Sequence, residues 1–587
     1  MSAYGKNHDA SSCITILYGS QTGYAQDTAE RIARILWRHH FKVSLISALD
    51  DYDKTKLIHE RFVIFVCSTT GEGEEPDNMK LFWKFLLRKN LPGNVLETLK
   101  YAVFGLGDSS YAKFNYPAKK LFRRLSQLGA HAACPRGDGD DQHFLGLDGG
   151  LIPWLKLLLE ALSQQFPVPA SMTPLDESVC PDPSFRLVET TRPSTPDDQV
   201  NLGLFQLIEN RRITHPSHFQ DIRHISFRPK EHMPEFSPGD IASFTPQNLP
   251  EDVDSFIELM GWQAFSDVFF RLEAISKAKA VPSFFCTPKT LREIVSKYVD
   301  LRGTPRRTLV EYLYYFSSDE LEKEKFHEWL TTADGQEDMA AYLHRPRRTL
   351  LEVLADFRSY KVPLDYLLDA FAPIQARSFS IASSPKNECL DLMVGIVEYR
   401  TRLVQPRLGL ATQFIKHMLT VPDAPLIRIT VSRGTMALPL SDAPIIMVGP
   451  GLGIAPFRSF IQARAHSNIA QNYLISGCRF KEMDEHYADE WKKYVDEGLL
   501  WYRVAASRDQ NTKRYVQHII QENATLLWDL IHNNGAHVYV CGSSGSMPKE
   551  VMEAFQQIAC DMLNVESGAQ YVDSLVNQNR YQQETWS

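Results

Sequence analysis

In two blocks of this chain, short apolar runs stop at turns and give way to amphipathic helical stretches. This βα rhythm restricts the fold more than any other feature. In residues 14–163 the runs are ITILY at 14–18, FVIFVC at 62–67 and YAVFG at 101–105. In residues 442–587 they are IIMVG at 445–449, NYLISG at 472–477, WYRVA at 501–505 and HVYVC at 537–541. Strands buried on both faces read as continuous apolar runs, and parallel neighbours need a helical crossover. Both blocks therefore predict doubly wound parallel sheets, whose ligand loops meet above the carboxyl ends of the strands.

The middle of the chain reads differently. Residues 201–244 alternate like strands, and 236–246 close on FSPGDIASFTP. From about 247 to 370 the pattern is helical, and strand signals resume at 377–397 and 426–431. An antiparallel β-domain with a helical insertion accounts for this order. Around 167–198 the chain is rich in Pro, Ser, Thr and Asp, as a linker is. At 587 residues, two to four domains are expected.

Composition excludes more than it identifies. A formal net charge of -8 argues against a nucleic-acid partner, which would want a basic face. Nine cysteines never fall into CxxC or another zinc spacing, so no metal is expected and they read as reduced cytosolic thiols. The opening MSAYGKNHDASSC has no apolar core of a signal peptide, and no run of about 18 apolar residues occurs. The expectation is a cytoplasmic protein with no membrane insertion.

Three loops of the first block carry chemistry. In GSQTGYA (19–25), Ser20, Gln21, Thr22, Gly23, Tyr24 and Ala25 stand between a strand and a helix start. Hydroxyls and backbone N–H groups at a helix N-terminus make an anion cradle, although a plain βα turn would look similar. CSTTGEGEEPDN (67–78) and GLGDSSYAKFN (105–115) end the next two strands. Tyr111 and Phe114 sit where an aromatic can cover a planar ring, with ordinary loop packing as the alternative. Together the three loops resemble the flavodoxin-like FMN domain of diflavin reductases. That resemblance implies that residues 20–25 hold the FMN phosphate. It sets Ser68, Thr69, Thr70 and Gly71 against the isoalloxazine on one side. On the other stand Leu106, Gly107, Asp108, Ser109, Ser110, Tyr111, Ala112, Lys113, Phe114 and Asn115. Asp141, in GDGDDQH, is implied as a further contact. Many relatives carry an aromatic in the second loop, where this chain has Ser68, Thr69 and Thr70, so one face of the ring is expected to be less protected. The acidic residues Glu72, Glu74, Glu75 and Asp77 border this edge and are expected to steer a basic partner.

In ARSFSIASS (376–384), Arg377 can pair with a pyrophosphate through its planar fork and Ser380 can hydrogen-bond near a ring; an exposed strand with one Arg is the bland alternative. RLGLAT (407–412) adds a second helix N-terminus. The pair resembles the FAD site of ferredoxin-reductase-type domains, which implies FAD contacts for Arg377, Ser378, Phe379, Ser380, Gly409, Leu410, Ala411 and Thr412. Phe379 stands where many such domains have Tyr, so stacking survives but a phenol hydrogen bond does not. Arg347, in HRPRRTLLEV, is implied as a further FAD contact, against a solvated helix-entry Arg.

IIMVGPGLGIAPFRSF (445–460) departs from the GxGxxG fingerprint and resembles the GPGTG turn of ferredoxin-reductase NADP domains, with Leu452 in place of Thr. In SRDQNTKRYVQH (507–518), Ser507, Arg508 and Lys513 supply a hydroxyl and two cations suited to a 2′-phosphate. Tyr515 is available to stack on adenine and Gln517 to hydrogen-bond, with Arg514 and Val516 in the same stretch. A solvated basic loop is the alternative; the position after the third strand favours NADPH. The resemblance further implies that Cys541 lies at the nicotinamide, that Trp586 covers the FAD ring and that Glu584 assists hydride transfer.

The ordered set, with GLGDSSYAKFN, GDDQH, RRTLLEV and QETW, looks most like the NADPH-dependent diflavin oxidoreductase 1 family, within the wider cytochrome-reductase-like diflavin reductases. The resemblance covers the chain except a disordered N-terminus expected at 1–13 and a linker expected at 165–200, and it implies a flavodoxin-like FMN domain at 14–164. A FAD-binding β-domain follows at 201–440 and an NADPH-binding domain at 441–587. Electrons would run from NADPH to FAD to FMN and then to an iron–sulfur acceptor of the anamorsin family, in cytosolic iron–sulfur cluster assembly. Ser380, Cys541 and Glu584 would orient nicotinamide over FAD, and the linker would let the FMN domain swing. A haem protein or sulfite reductase as acceptor, a non-catalytic flavoprotein scaffold, and a nucleic-acid module disfavoured by charge remain as competitors.

Overall fold

The structure, a computed structural model, describes residues 13–71, 73–111, 113–169, 171–192, 203–418 and 426–586. Apart from Cys13, which opens the first strand, the expected disordered terminus lies outside the described residues, as do Glu72, Ala112 and residues 193–202. The chain forms two compact units. One comprises residues 1–197, 248–375 and 401–403; the other comprises 198–247, 376–400 and 404–587.

The first unit opens with a parallel sheet in the spatial order Lys42–Ala48, Cys13–Gly19, Phe62–Ser68, Lys100–Gly107. Two short strands, His131–Ala132 and Gly137–Asp140, both pair with the last of these. The two-residue alternation of a strand divides its apolar residues between two cores. Ile64 and Val66 enter one with Leu36 and Leu158, while Val63 and Phe65 enter the other with Phe82 and Leu121. Helix Tyr24–Arg38 buries Ala25, Thr28, Ala29, Ile32 and Leu36 along one stripe, as a 3.6-residue period requires.

The helical insertion packs in this same unit around Phe256, Leu313, Phe326 and Trp329, rather than with the β-domain into which it is spliced. The linker expectation is corrected at 185–190. Phe185–Thr190 is a strand, antiparallel to Phe269–Ala274, and Phe185 and Leu187 are buried in the insertion core. The alternating FRLVET is only six residues long, and the Pro-rich sequence around it masked the signal.

The second unit begins with two antiparallel sheets. One runs Arg377–Ser380, Ile241–Phe244, Thr430–Ser432; the other runs Leu390–Gly395, Ile222–Pro229, Leu204–Arg212, Ile427–Arg428. Phe205, Phe227, Phe244 and Leu392 form their shared core. A five-stranded parallel sheet follows, in the order Trp501–Ala506, Asn472–Cys478, Ile445–Pro450, His537–Ser543, Tyr581–Trp586. The fifth strand is the polar tail YQQETW, whose composition does not announce a strand.

Candidate cofactor sites

The glycine-bearing turn lies between strand Cys13–Gly19 and helix Tyr24–Arg38, the strand-to-helix position that the sequence predicts for it. Helix Tyr24–Arg38 starts behind Gly23, whose φ of 86° is open to glycine at little cost. The first amides of that helix have no intrahelical partner and point outward as donors. Ser20 N donates to Asn78 Oδ1 at 2.8 Å, and Gln21 clasps Asp77 through two hydrogen bonds of 2.9 and 3.0 Å. Within this frame Ser20 Oγ and Thr69 Oγ1 are buried without a hydrogen-bond partner. Enclosed hydroxyls of that kind call for an acceptor, and a flavin phosphate and ring supply acceptors.

Around the ring position, Thr69 N donates to Leu106 O at 2.9 Å and Ser68 Oγ to Gly19 O at 3.2 Å, tying the second loop to both neighbours. Asp108 Oδ1 accepts from Ser110 N and Ser110 Oγ, and Asp140 Oδ1 accepts from Ser109 N at 2.9 Å. Tyr111 and Lys113 are exposed, and Phe114 is half-buried with the Lys119 ammonium over its ring. Asn115 is fully buried in the left-handed region (φ 52°), and its Nδ2 donates to Gly139 O, so its side chain braces the loop. Asp141 N donates to Gly107 O at 2.9 Å; desolvation and the Asp108 carboxylate push the Asp141 carboxyl up. Arg347 and His344, both in the insertion, oppose that rise, so Arg347 acts electrostatically on this loop. Of the acidic rim, Glu75 pairs with Lys120, and Asp77 with Lys80 at 2.6 Å, so two of its charges are compensated.

In the second unit, Phe379 stacks on Phe244 at 5.5 Å and 11°, and Ser378 Oγ meets Ser243 Oγ at 2.8 Å. Arg377 is half-buried at the head of the same strand. Gly409 precedes helix Leu410–His417, and a Cβ there would lie 2.8 Å from Val397 Cβ. Thr412 Oγ1 donates to Gly409 O at 3.1 Å and accepts from Val397 N at 3.1 Å. That hydroxyl pins the turn, while the amides of Leu410, Ala411 and Thr412 open the helix as donors.

The tail strand gathers the chemistry that sequence spacing could not. Cys541 pairs in register with Glu584, and Ser543 with Trp586. Glu584 Oε2 accepts from Thr435 Oγ1 at 2.8 Å, and Oε1 from Ser380 Oγ at 3.4 Å. Two residues along the strand, Gln582 Oε1 accepts from Ala437 N at 2.9 Å. Alternation puts Gln582, Glu584 and Trp586 on one face of the strand. Burial raises the Glu584 carboxyl against the two hydroxyl hydrogen bonds. Burial, and then the Glu584 carboxylate, push the Cys541 thiol well up, so it stays protonated. Trp586 is 36% exposed.

The nucleotide turn follows strand Ile445–Pro450 as a short 3₁₀ segment, Gly451–Ile454, leading into helix Ala455–Ala465. Gly451 has φ 58°, and a Cβ on Gly453 would lie 2.0 Å from Cys541 O, so glycine is required for this close approach. Leu452 is half-buried beside Gly395. Ser507 and Arg508 continue past strand Trp501–Ala506, with the Arg508 and Lys513 side chains exposed. Arg514 is committed to Glu522, and Gln517 to Glu550. Tyr515 is exposed and stacks on His518, while Val516 is buried, which leaves only its backbone for a ligand. Thr435 is a site residue that sequence reasoning missed: it joins its cradle from a distant segment, with no local motif to mark it. Asp77 and Asn78 belong to the loop 67–78, but their hydrogen bonds to Gln21 and Ser20 cross 56 and 58 residues of sequence.

Three cradles in this order, two of them shaped for flavins and one for a nicotinamide nucleotide, define a reductase of the diflavin class. Residues 16–154 match the Flavodoxin family, 195–414 the FAD binding domain and 447–553 the Oxidoreductase NAD-binding domain. The chain is 39% identical to NADPH-dependent diflavin oxidoreductase 1 of Xenopus laevis, covering 98% of this chain and 99% of the relative. Identity is 40% with the Danio rerio protein of the same name and 38% with that of Schizosaccharomyces pombe, at the same coverage. The chain belongs to the NADPH-dependent diflavin oxidoreductase 1 family, with FMN, FAD and NADP as its cofactors.

Proposed function

We propose that this oxidoreductase delivers single electrons to an iron–sulfur protein of the anamorsin family, in cytosolic iron–sulfur cluster assembly. The observation that carries the reading is the match to its family over 98% of the chain, with both flavin domains included. Flavins take up the two electrons of a hydride and give them out one at a time, which suits an acceptor that takes one. Nine free cysteines support a reducing compartment. Among the described residues no helix is long and apolar enough to cross a membrane.

Each cradle has its assigned task in this reading. Ser20, Thr22 and the first amides of helix Tyr24–Arg38 bind the FMN phosphate. Arg377 and the amides of 410–412 bind the FAD pyrophosphate. Arg508, Lys513 and Ser507 read the 2′-phosphate of NADPH. Ser380 and Glu584 orient nicotinamide beside Cys541, and Trp586 shields the FAD ring until nicotinamide arrives. The test is anaerobic mixing of the enzyme and NADPH with an oxidised [2Fe–2S] protein of the anamorsin type, with cytochrome c in parallel. Enzyme-dependent bleaching of the cluster is expected. Reduction of cytochrome c alone would assign a different acceptor, and reduction of neither would leave a scaffold.

A further inference from the structure

The phosphate loop is gripped from behind by a residue distant in sequence. Arg306, at the start of helix Arg307–Phe316 in the insertion, donates from Nη1 to Gly23 O and from Nη2 to Thr22 O, both at 3.0 Å. Its guanidinium carbon lies 5.0 Å from the centre of the Tyr24 ring. A Cβ on Gly23 would lie 2.5 Å from Arg306 Nη2, so the approach needs glycine there.

The two carbonyls are informative. The peptide that ends in Thr22 C=O carries Gly23 N–H, and the one that ends in Gly23 C=O carries Tyr24 N–H. Those amides open the helix that the phosphate cradle uses. A cation on a carbonyl polarises its peptide and strengthens the N–H on the other side. It also adds positive charge at the helix N-terminus, where an anion is favoured. Asp27, in the first turn, is the opposing charge, and Arg306 is the largest cationic influence on it.

We propose that Arg306 is a positioning residue for FMN: by holding the carbonyls of Thr22 and Gly23, it strengthens the grip of the loop on the flavin phosphate. The insertion thereby supports a cofactor loop that belongs to the flavodoxin-like domain. Because the effect passes through phosphate, it must spare a flavin that has none.

The experiment uses the full chain, stripped of FMN, with its FAD content measured as a control on folding. Wild type, Arg306→Gln and Arg306→Lys are titrated with FMN and with riboflavin by flavin fluorescence quenching. Arg306→Gln is expected to weaken FMN about tenfold, the factor carried by one charge-assisted contact, and riboflavin less than about twofold. Arg306→Lys, which keeps the charge but cannot span both carbonyls, should fall between. Equal weakening of both flavins, or of neither, overturns the inference and leaves the FMN cradle itself in place. If Arg306→Gln loses FAD, the FMN-to-riboflavin ratio of Arg306→Lys decides in the same way.

Discussion

Cys541 and Glu584 stand in register across the last two strands of the parallel sheet, and Glu584 also accepts hydrogen bonds from Thr435 and Ser380. The carboxylate thereby joins the nucleotide sheet to the flavin strand within one unit. A buried thiol held protonated beside it is a packing and orienting group. Cys541 is expected to resist iodoacetamide in the folded protein, as mass spectrometry of labelled peptides would read.

Burial raises the Glu584 carboxyl above its unfolded value of about 4.3. The folded state thus binds more protons than the unfolded one, and this contribution to stability is lost as pH rises through the folded pKa. Glu584→Gln removes the charge and escapes that loss. Its melting temperature should exceed that of wild type by a margin that widens from pH 5 to pH 8. A margin independent of pH would show that Glu584 carries no such burden. The same variant should slow FAD reduction by NADPH about tenfold or more, seen in stopped flow.

Arg508 and Lys513 are exposed cations, whereas Arg514 is committed to Glu522. Replacing both Arg508 and Lys513 with Ala should raise KM for NADPH about ten- to a hundredfold and leave NADH little changed. Arg514→Ala should cost much less. Equal losses with both nucleotides would show that these residues do not read the 2′-phosphate.

Trp586 keeps a third of its surface exposed on the face it shares with Glu584. Stacking on a flavin adds only about 0.5–1.5 kcal/mol beyond area burial, so nicotinamide can displace it. Deleting Trp586 and Ser587 should lower the NADPH-to-NADH ratio of kcat/KM, because NADH depends less on phosphate contacts. Trp586→Ala separates loss of the ring from loss of the backbone bond between Ser544 N and Trp586 O. A ratio that holds or rises would make this Trp a packing residue.

Glu311 of the insertion bonds Arg34 of the flavodoxin-like domain at 2.8 Å, with both side chains nearly buried. Arg307 also reaches Asp148 at 3.0 Å, and Arg31 pairs with Asp148 beside it. Burial acts to raise the Glu311 carboxyl, but Arg34, Arg31 and Arg307 hold it below its usual value. Its contribution to stability is therefore present above about pH 4.3 and lost as pH falls through the folded pKa. Glu311→Gln leaves Arg34 buried and uncompensated, at a cost of up to about 3–5 kcal/mol. The first melting transition should fall, and protease should cut more quickly between helix Asp148–Gln165 and strand Phe185–Thr190. Unchanged melting and cleavage would refute this.

The cradles were legible because each is local. Strand, turn and helix follow one another within residues 14–25 and again within 445–460, and a turn of this kind offers consecutive amides to an anion. Apolar runs with loops at their ends, three in the first block and four in the last, likewise announced the parallel sheets. What lay outside reach was everything made by distant pairing. The strand Phe185–Thr190 is hidden in a Pro-rich stretch and is defined by its partner Phe269–Ala274. The tail QQETW is too polar to declare a strand, and only pairing with His537–Ser543 brings Glu584 beside Cys541 and within reach of Thr435 and Ser380. Arg306 and Gly23 are 283 residues apart. Apolar periodicity and turn chemistry act over a few residues and so are written in the local sequence. A hydrogen bond between distant segments has no local signature, because the packing of whole domains sets which side chains meet.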